Sequence, residues 1–293
     1  MEAVSEGYVK VLGFRLFYRV FGEARRGTVL CLHGGPGATH DYLLPMADLT
    51  EYGYKVVFYD QLGCGRSEMP DDTSLFTVER GVEEVEGIRR ALNLGRIHLM
   101  GSSYGGLLAI AYALKYQENL KSLIISSGLA SVPLAVAEMQ RLKSELPPEI
   151  QETLRKYEEI GDYENPEYLK AVQEFYKRHL CRLPEWPKEL VYTMEHMSKP
   201  VYYTMNGPNE FTIIGTLKDW DVTDQLHKIR VPCLITVGRY DEVTPKVAES
   251  MHQRIKGSKL VIFENSSHVA MWEEREKFIE VVRKFLEEVD RKE

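Results

Sequence analysis

The pentapeptide Gly101-Ser102-Ser103-Tyr104-Gly105 stands between an apolar stretch, 97–100, and a helix-like run, 107–116. A serine with glycine two residues away on either side lets a strand turn sharply into a helix while one hydroxyl is held at a strained apex. Ser103 fits that apex and Ser102 does not, because centring the turn on Ser102 would put Met100 and Tyr104 where small residues are needed. The turn therefore demands a strand before it, a helix after it, and places a nucleophile between them.

The rest of the chain supplies that architecture. Segments 28–32, 55–59, 97–100 and 120–126 are short, nearly continuous apolar runs, the pattern of strands covered on both faces of a parallel sheet. Helix-like segments 41–49, 77–92 and 107–116 fill the intervals, which predicts a doubly wound α/β fold. Ahead of them, 8–11 and 15–20 alternate around Gly13 as a hairpin. From Ala130 to Thr216 strand-like runs vanish and the sequence becomes charged, helical and punctuated by proline, as an inserted helical cap would be. Alternation resumes with a strand at 231–237, then a helix with Thr244 as N-cap, Pro245 at its first position and Gly257 just past its end. A last strand at 259–263 precedes a helix whose Phe278, Val281, Val282, Phe285 and Val289 form a core-facing stripe. The expected division is core 1–129, cap 130–216 and core 217–293.

Composition excludes some functions. The formal net charge of -7 and the absence of any Lys/Arg cluster leave no electrostatic footprint for nucleic acid or an anionic membrane. Cys31, Cys64, Cys181 and Cys233 are widely separated and form no C-x-x-C pair, which suits reduced thiols in a cytoplasm. The first residues lack a basic region followed by an apolar one, and the longest apolar run, 107–114, is far short of the roughly 20 residues that span a bilayer. A soluble, cytoplasmic protein is expected.

A serine hydroxyl needs a base to take its proton and a third group to fix that base's tautomer. Ligands of an open α/β sheet bind beyond the carboxyl ends of the strands, so the base belongs in a loop that follows one. Of eight histidines, His268 meets this condition, just after segment 259–263; His98 lies within a strand, His252 within a helix and His227 ahead of a strand. Asp241 follows segment 231–237 by the same rule, whereas Asp219, Asp221 and Asp224 precede it and belong at the opposite sheet edge. The glycine loop His33-Gly34-Gly35-Pro36-Gly37 follows the strand at 28–32 and offers the Gly35 amide, with that of Tyr104, as donors to an oxyanion. It lacks the lysine and spacing of a phosphate loop. The chain order Ser, Asp, His is that of the α/β-hydrolase fold, with a mostly parallel central sheet and helices on both faces.

Together His33-Gly34-Gly35-Pro36-Gly37, Asp60-Gln61-Leu62-Gly63-Cys64-Gly65-Arg66-Ser67, Gly101 to Gly106, Gly238-Arg239-Tyr240-Asp241-Glu242 and Ser267-His268 resemble the proline iminopeptidases of the α/β-hydrolase superfamily. The likeness runs through the cap, where Asn206-Gly207-Pro208-Asn209-Glu210-Phe211-Thr212 resembles the tricorn-interacting aminopeptidases of that family. The resemblance implies that Glu210 and Glu242 hold the substrate's free α-ammonium, since a charged amine entering a desolvated pocket requires paired anions. It implies an acyl-enzyme mechanism without a cofactor or metal. Its substrates would be short peptides, supplied by an upstream protease such as tricorn. Many bacterial members carry tryptophan after the nucleophile where this chain has Tyr104, so removal of proline and other uncharged residues is expected rather than strict proline preference. Trp186, Tyr202, Tyr203 and Phe211 either wall the pocket for that residue or form the cap's own core. A carboxylesterase or lactonase would use the same triad without the amine clamp, and a noncatalytic ligand receptor would leave the triad idle.

Overall fold

A computed structural model describes residues 3–292. Its centre is an eight-stranded sheet in the order β1-β2-β4-β3-β5-β6-β7-β8. The strands are β1 (Ser5–Val11), β2 (Phe14–Phe21), β3 (Gly27–Leu32), β4 (Tyr54–Tyr59), β5 (Ile97–Ser102), β6 (Leu120–Ser126), β7 (Cys233–Gly238) and β8 (Lys259–Phe263). β1 and β2 form the expected antiparallel hairpin, β2 pairs antiparallel with β4, and every other pairing is parallel. Every residue of β5 and β7 is buried, which is why their sequences are mostly apolar rather than alternating, with His98, Ser102 and Thr236 as the polar exceptions.

Helices cover both faces. α1 (Val78–Ala91), α2 (Tyr104–Tyr116) and α8 (Pro245–His252) contribute to one core layer. The segment His40–Tyr52 and α10 (Arg275–Asp290), which follows the one-turn α9 (Ala270–Glu273), build the other, with Leu43, Met46, Phe278, Val282 and Phe285 buried between them and the sheet. The stripe on α10 is the one its spacing predicts, except that Val281 is only half-buried and Ile279 and Leu286 take part. His40–Tyr52 is 3-10 rather than α-helical and contains Pro45, whose missing amide and ring clash oppose regular α-helix. α8 ends at His252, five residues before Gly257, which closes the following turn with φ +76°.

Between β6 and β7 the chain leaves the sheet to form five helices: α3 (Val132–Ser144), α4 (Pro148–Ile160), α5 (Pro166–His179), α6 (Lys188–Glu195) and α7 (Lys199–Met205). Each has a proline within its first two residues except α6, which has Pro187 directly before it. The neck of this insertion is pinned where Ser131 pairs with Asp221: the serine hydroxyl donates to the carboxylate at 2.6 Å, and the amide of Val222 donates to the Ala130 carbonyl at 2.9 Å. Asp221 therefore has a structural partner, and it lies beside Ser131, just past the carboxyl end of β6, rather than at the opposite sheet edge where its place ahead of β7 would put it.

Candidate active site

The turn after β5 has the strained geometry its sequence predicts. Ser103 takes φ 57° and ψ -124°, a region that side chains other than glycine rarely enter, and its amide donates to the Ser126 carbonyl at 3.0 Å. A Cβ on Gly101 would stand 2.0 Å from the Gly105 carbonyl oxygen, and one on Gly105 would stand 2.1 Å from that of Leu32. Both glycines are thus required by the closeness of strand to helix.

Asp241 and His268 meet across the ends of β7 and β8. A Cβ on Gly238 would lie 2.1 Å from the Ser267 carbonyl oxygen, so glycine lets the two loops touch. Asp241 Oδ1 sits 2.7 Å from His268 Nδ1 and also accepts the Val243 amide at 2.9 Å. With Asp241 on Nδ1, the other ring nitrogen, Nε2, is left for chemistry. The loop that delivers His268 is tied down by two glutamates the sequence did not single out. Glu273 accepts the Ser267 amide and hydroxyl, both at 2.8 Å, and Glu274 accepts the Ser266 hydroxyl at 2.6 Å.

Two small cavities adjoin at Ser103, and Gly35 and Glu210 line both. Tyr104, Asn206 and Glu242 line the first, with apolar walls from Leu129, Val132, Met139 and Val243. The second is lined by Tyr42, Leu180, Met194, Met197 and His268. Ser103 and His268 thus share a cavity wall, but among the described residues no hydrogen bond joins the hydroxyl to the imidazole. Instead His268 Nε2 stands 3.6 Å from Glu242 Oε1. A wider crevice lined by Glu6, Arg19, Asp48 and Arg275 lies on the β1 side, remote from these groups.

The glycine loop is organised to leave one amide free. Gly34 donates to the Tyr42 hydroxyl at 2.8 Å, while the amides of Gly35 and Tyr104 have no protein acceptor among the described residues. Gly35 adopts φ +110°, where a Cβ would come within 2.6 Å of the Gly37 amide nitrogen. His33 and His40 support the loop rather than serve as bases: His33 Nε2 accepts the Gln61 amide at 3.0 Å, and His40 Nδ1 pairs with buried Asp60 at 2.8 Å. His98 is held between Ser122 and Asp290.

The two cap-side carboxylates come from different elements. Glu242 is buried beside Asp241, and its amide donates to the His179 carbonyl at the end of α5. Its Oε2 is buried and receives no hydrogen bond among the described residues. Glu210 rides on the loop after α7, where Asn206 donates to the Asn209 carbonyl at 3.0 Å and accepts the amides of Ile214 and Gly215. Its Oε1 accepts from the Tyr202 hydroxyl at 2.8 Å, and its amide donates to the Tyr176 hydroxyl at 3.3 Å. Burial raises the carboxyl pKa of both glutamates, most strongly for Glu242, although the His268 charge opposes this. Burial by itself would lower the His268 pKa, but Asp241, Glu242 and Glu210 outweigh it and push it up to about 10.

Of the four cap aromatics, Tyr202 reaches the site through its hydroxyl, and Phe211 is cap core, 4.8 Å from the Phe175 ring. Tyr203 is exposed, and the Trp186 indole donates to the Cys181 carbonyl away from both cavities. Tyr176 and Tyr42 were not foreseen. Nothing local distinguishes them from core tyrosines; only the fold brings their hydroxyls to the loops.

The family profile for the α/β hydrolase fold matches residues 27–275. The chain is 55% identical to a proline iminopeptidase of Saccharolobus solfataricus, covering 98% of this chain and 93% of the relative. The chain belongs to the proline iminopeptidases of the α/β-hydrolase fold. A proline iminopeptidase of Thermoplasma volcanium is 52% identical over 98% of both chains. The solved structure of the proline iminopeptidase of Mycobacterium smegmatis superimposes with a TM-score of 0.91 at 35% identity, covering 98% of this chain and 99% of the other. Among the described residues, no helix is long and apolar enough to cross a membrane.

Proposed function

We propose that the protein is a serine aminopeptidase that releases N-terminal proline and other mainly uncharged residues from short peptides through an acyl-enzyme. The observation that carries this reading is Glu242 Oε2, a buried carboxylate oxygen without a protein donor in a cavity shared by Ser103 and Glu210. An ammonium group supplies the charge and the protons that such an oxygen lacks. The apolar walls around it suit a proline ring or another uncharged side chain. The second cavity then receives the remainder of the peptide.

In this reading His268 Nε2 takes the Ser103 proton as Oγ attacks the first peptide carbonyl, and Asp241 holds the imidazole. The amides of Gly35 and Tyr104 stabilise the oxyanion, each contributing about 3 to 4 kcal/mol. His268 next gives its proton to the departing amine, which leaves the ester of Ser103. Water, deprotonated by the same imidazole, hydrolyses that ester and restores the hydroxyl. The helical insertion 130–216 acts as a cap that delivers Glu210 to the core formed by 1–129 and 217–293. Cytoplasmic peptides from an upstream protease such as tricorn are the proposed substrates.

Paired chromogenic amides test the reading. A free-amine prolyl amide is cleaved at least a hundredfold faster than its N-acetylated form, because acylation removes the charge that the glutamates recognise. Equal cleavage of both would favour a carboxylesterase or lactonase, which needs no such clamp.

A further inference from the structure

The site holds an imbalance that the clamp alone does not explain. Asp241 and Glu242 stand at the two nitrogens of one imidazole, and Glu210 lines the same cavity as His268. Asp241 engages Nδ1 at 2.7 Å, as a triad acid should. The nitrogen that must receive the Ser103 proton, Nε2, lies 3.6 Å from Glu242 Oε1, and no hydrogen bond joins it to the serine. A proton on Nε2 is attracted to that carboxylate, and a proton-bearing nitrogen is no base.

We propose that Glu242 holds His268 in its protonated, inactive form while the site is empty, and that the arriving substrate ammonium takes over this carboxylate and releases the imidazole to act as the base. The inference rests on the amine-clamp reading above and adds a second task to one of its members. The exchange balances: one cation enters, the Nε2 proton leaves to solvent, and no covalent bond changes. The cluster's net charge is the same before and after, so binding the amine avoids piling two positive charges against Nε2. An N-acylated peptide brings no cation and leaves the base occupied. Discrimination against it therefore falls on chemistry as well as on binding.

Other groups facing this corner do not supply the counter-charge. Tyr42 lines the cavity with His268, while Tyr176 and Tyr202 hold Glu210; burial raises the pKa of all three, so they remain neutral hydroxyls. His179 hydrogen-bonds the Tyr240 carbonyl and is kept neutral by burial. Glu273, under Ser267, adds no positive charge. Burial opposes a charge on His268, yet Asp241, Glu242 and Glu210 outweigh it and push its pKa up, in agreement with the geometry; burial, Glu210 and Asp241 push Glu242 up as well, so the proton is held between Nε2 and Glu242.

The test follows the His268 imidazole by NMR in the intact protein, titrated alone and with saturating pyrrolidine, a cyclic ammonium without a peptide bond. In the free protein the titration midpoint lies above the ordinary histidine value, and pyrrolidine lowers it by about one pH unit or more. Glu242→Gln lowers the midpoint of the free protein in the same direction and largely removes the pyrrolidine effect. Saturable pyrrolidine binding without a shift of His268, or an imidazole already neutral in the free protein at neutral pH, overturns the inference and leaves the clamp standing. Failure of pyrrolidine to bind at all overturns both. The wild-type titrations decide the matter even if Glu242→Gln does not fold.

Discussion

Tyr202 illustrates how much a single hydroxyl does in this site. Its bond to Glu210 Oε1 at 2.8 Å orients a carboxylate that burial would otherwise push toward the neutral form. Replacing it by phenylalanine removes a hydrogen bond to a charged group, worth about 1.5 to 3 kcal/mol. Tyr202→Phe is therefore predicted to raise KM for a prolyl amide roughly ten- to a hundredfold with kcat largely kept, since the proposed triad is untouched. Steady-state kinetics check this, and an unchanged KM would detach Tyr202 from amine recognition. At this scale sequence pattern is a poor guide. Ser103 announces itself through its glycines, but the sequence presents Tyr202 as one apolar cap aromatic among several. Its partner Glu210 is eight residues away, across the end of α7 and a folded loop, and only the family motif marks it.

The elements show why some parts of the fold are legible and others are not. Strands buried on both faces must be continuously apolar, so β3, β4, β5 and β6 stand out in the sequence. Segment 41–49 has helical periodicity, yet Pro45 turns it to 3-10 geometry, which apolar spacing does not register. α1 carries a feature that periodicity also misses: Glu84 is buried on the core side, and its Oε1 accepts the Leu62 amide at 3.1 Å. Burial raises its pKa from 4.5 to about 7, with the Leu62 bond and the Arg80 charge working in the opposite direction. A carboxyl whose folded-state pKa is raised favours folding below its unfolded pKa, and that contribution is lost as pH rises through the folded value. Glu84→Gln, which keeps an acceptor but cannot ionise, is predicted to gain about 3 kcal/mol relative to wild type as pH rises from about 4.5 to above 7. Denaturant unfolding at several pH values checks the difference; parallel stability curves would place the charge of Glu84 in solvent.

At the scale of the whole molecule, the proposed site draws on the sheet loops and on the insertion between β6 and β7, whose buried apolar residues belong to one core. Ser103, Asp241, His268 and Glu242 stand on loops that follow β5, β7 and β8, and Glu210 stands on the loop after α7, anchored by Phe211 against Phe175. Phe211→Ala is expected to cost about 3 to 5 kcal/mol of stability through the cavity it leaves. It is also expected to weaken free-amine peptide cleavage more than reaction of the triad with a small phosphonate, because the displaced loop carries Glu210 and no triad member. Equal losses in both would mean that the cap acts only as a structural support.

The central claim, that residues distant in the chain converge into one working nucleophile, is tested most directly by fluorophosphonate labelling mapped by mass spectrometry over a range of pH. The account predicts a single adduct, on Ser103, forming faster as pH rises and lost in His268→Ala. An adduct on another residue, or labelling of Ser103 that is indifferent to His268, would contradict it.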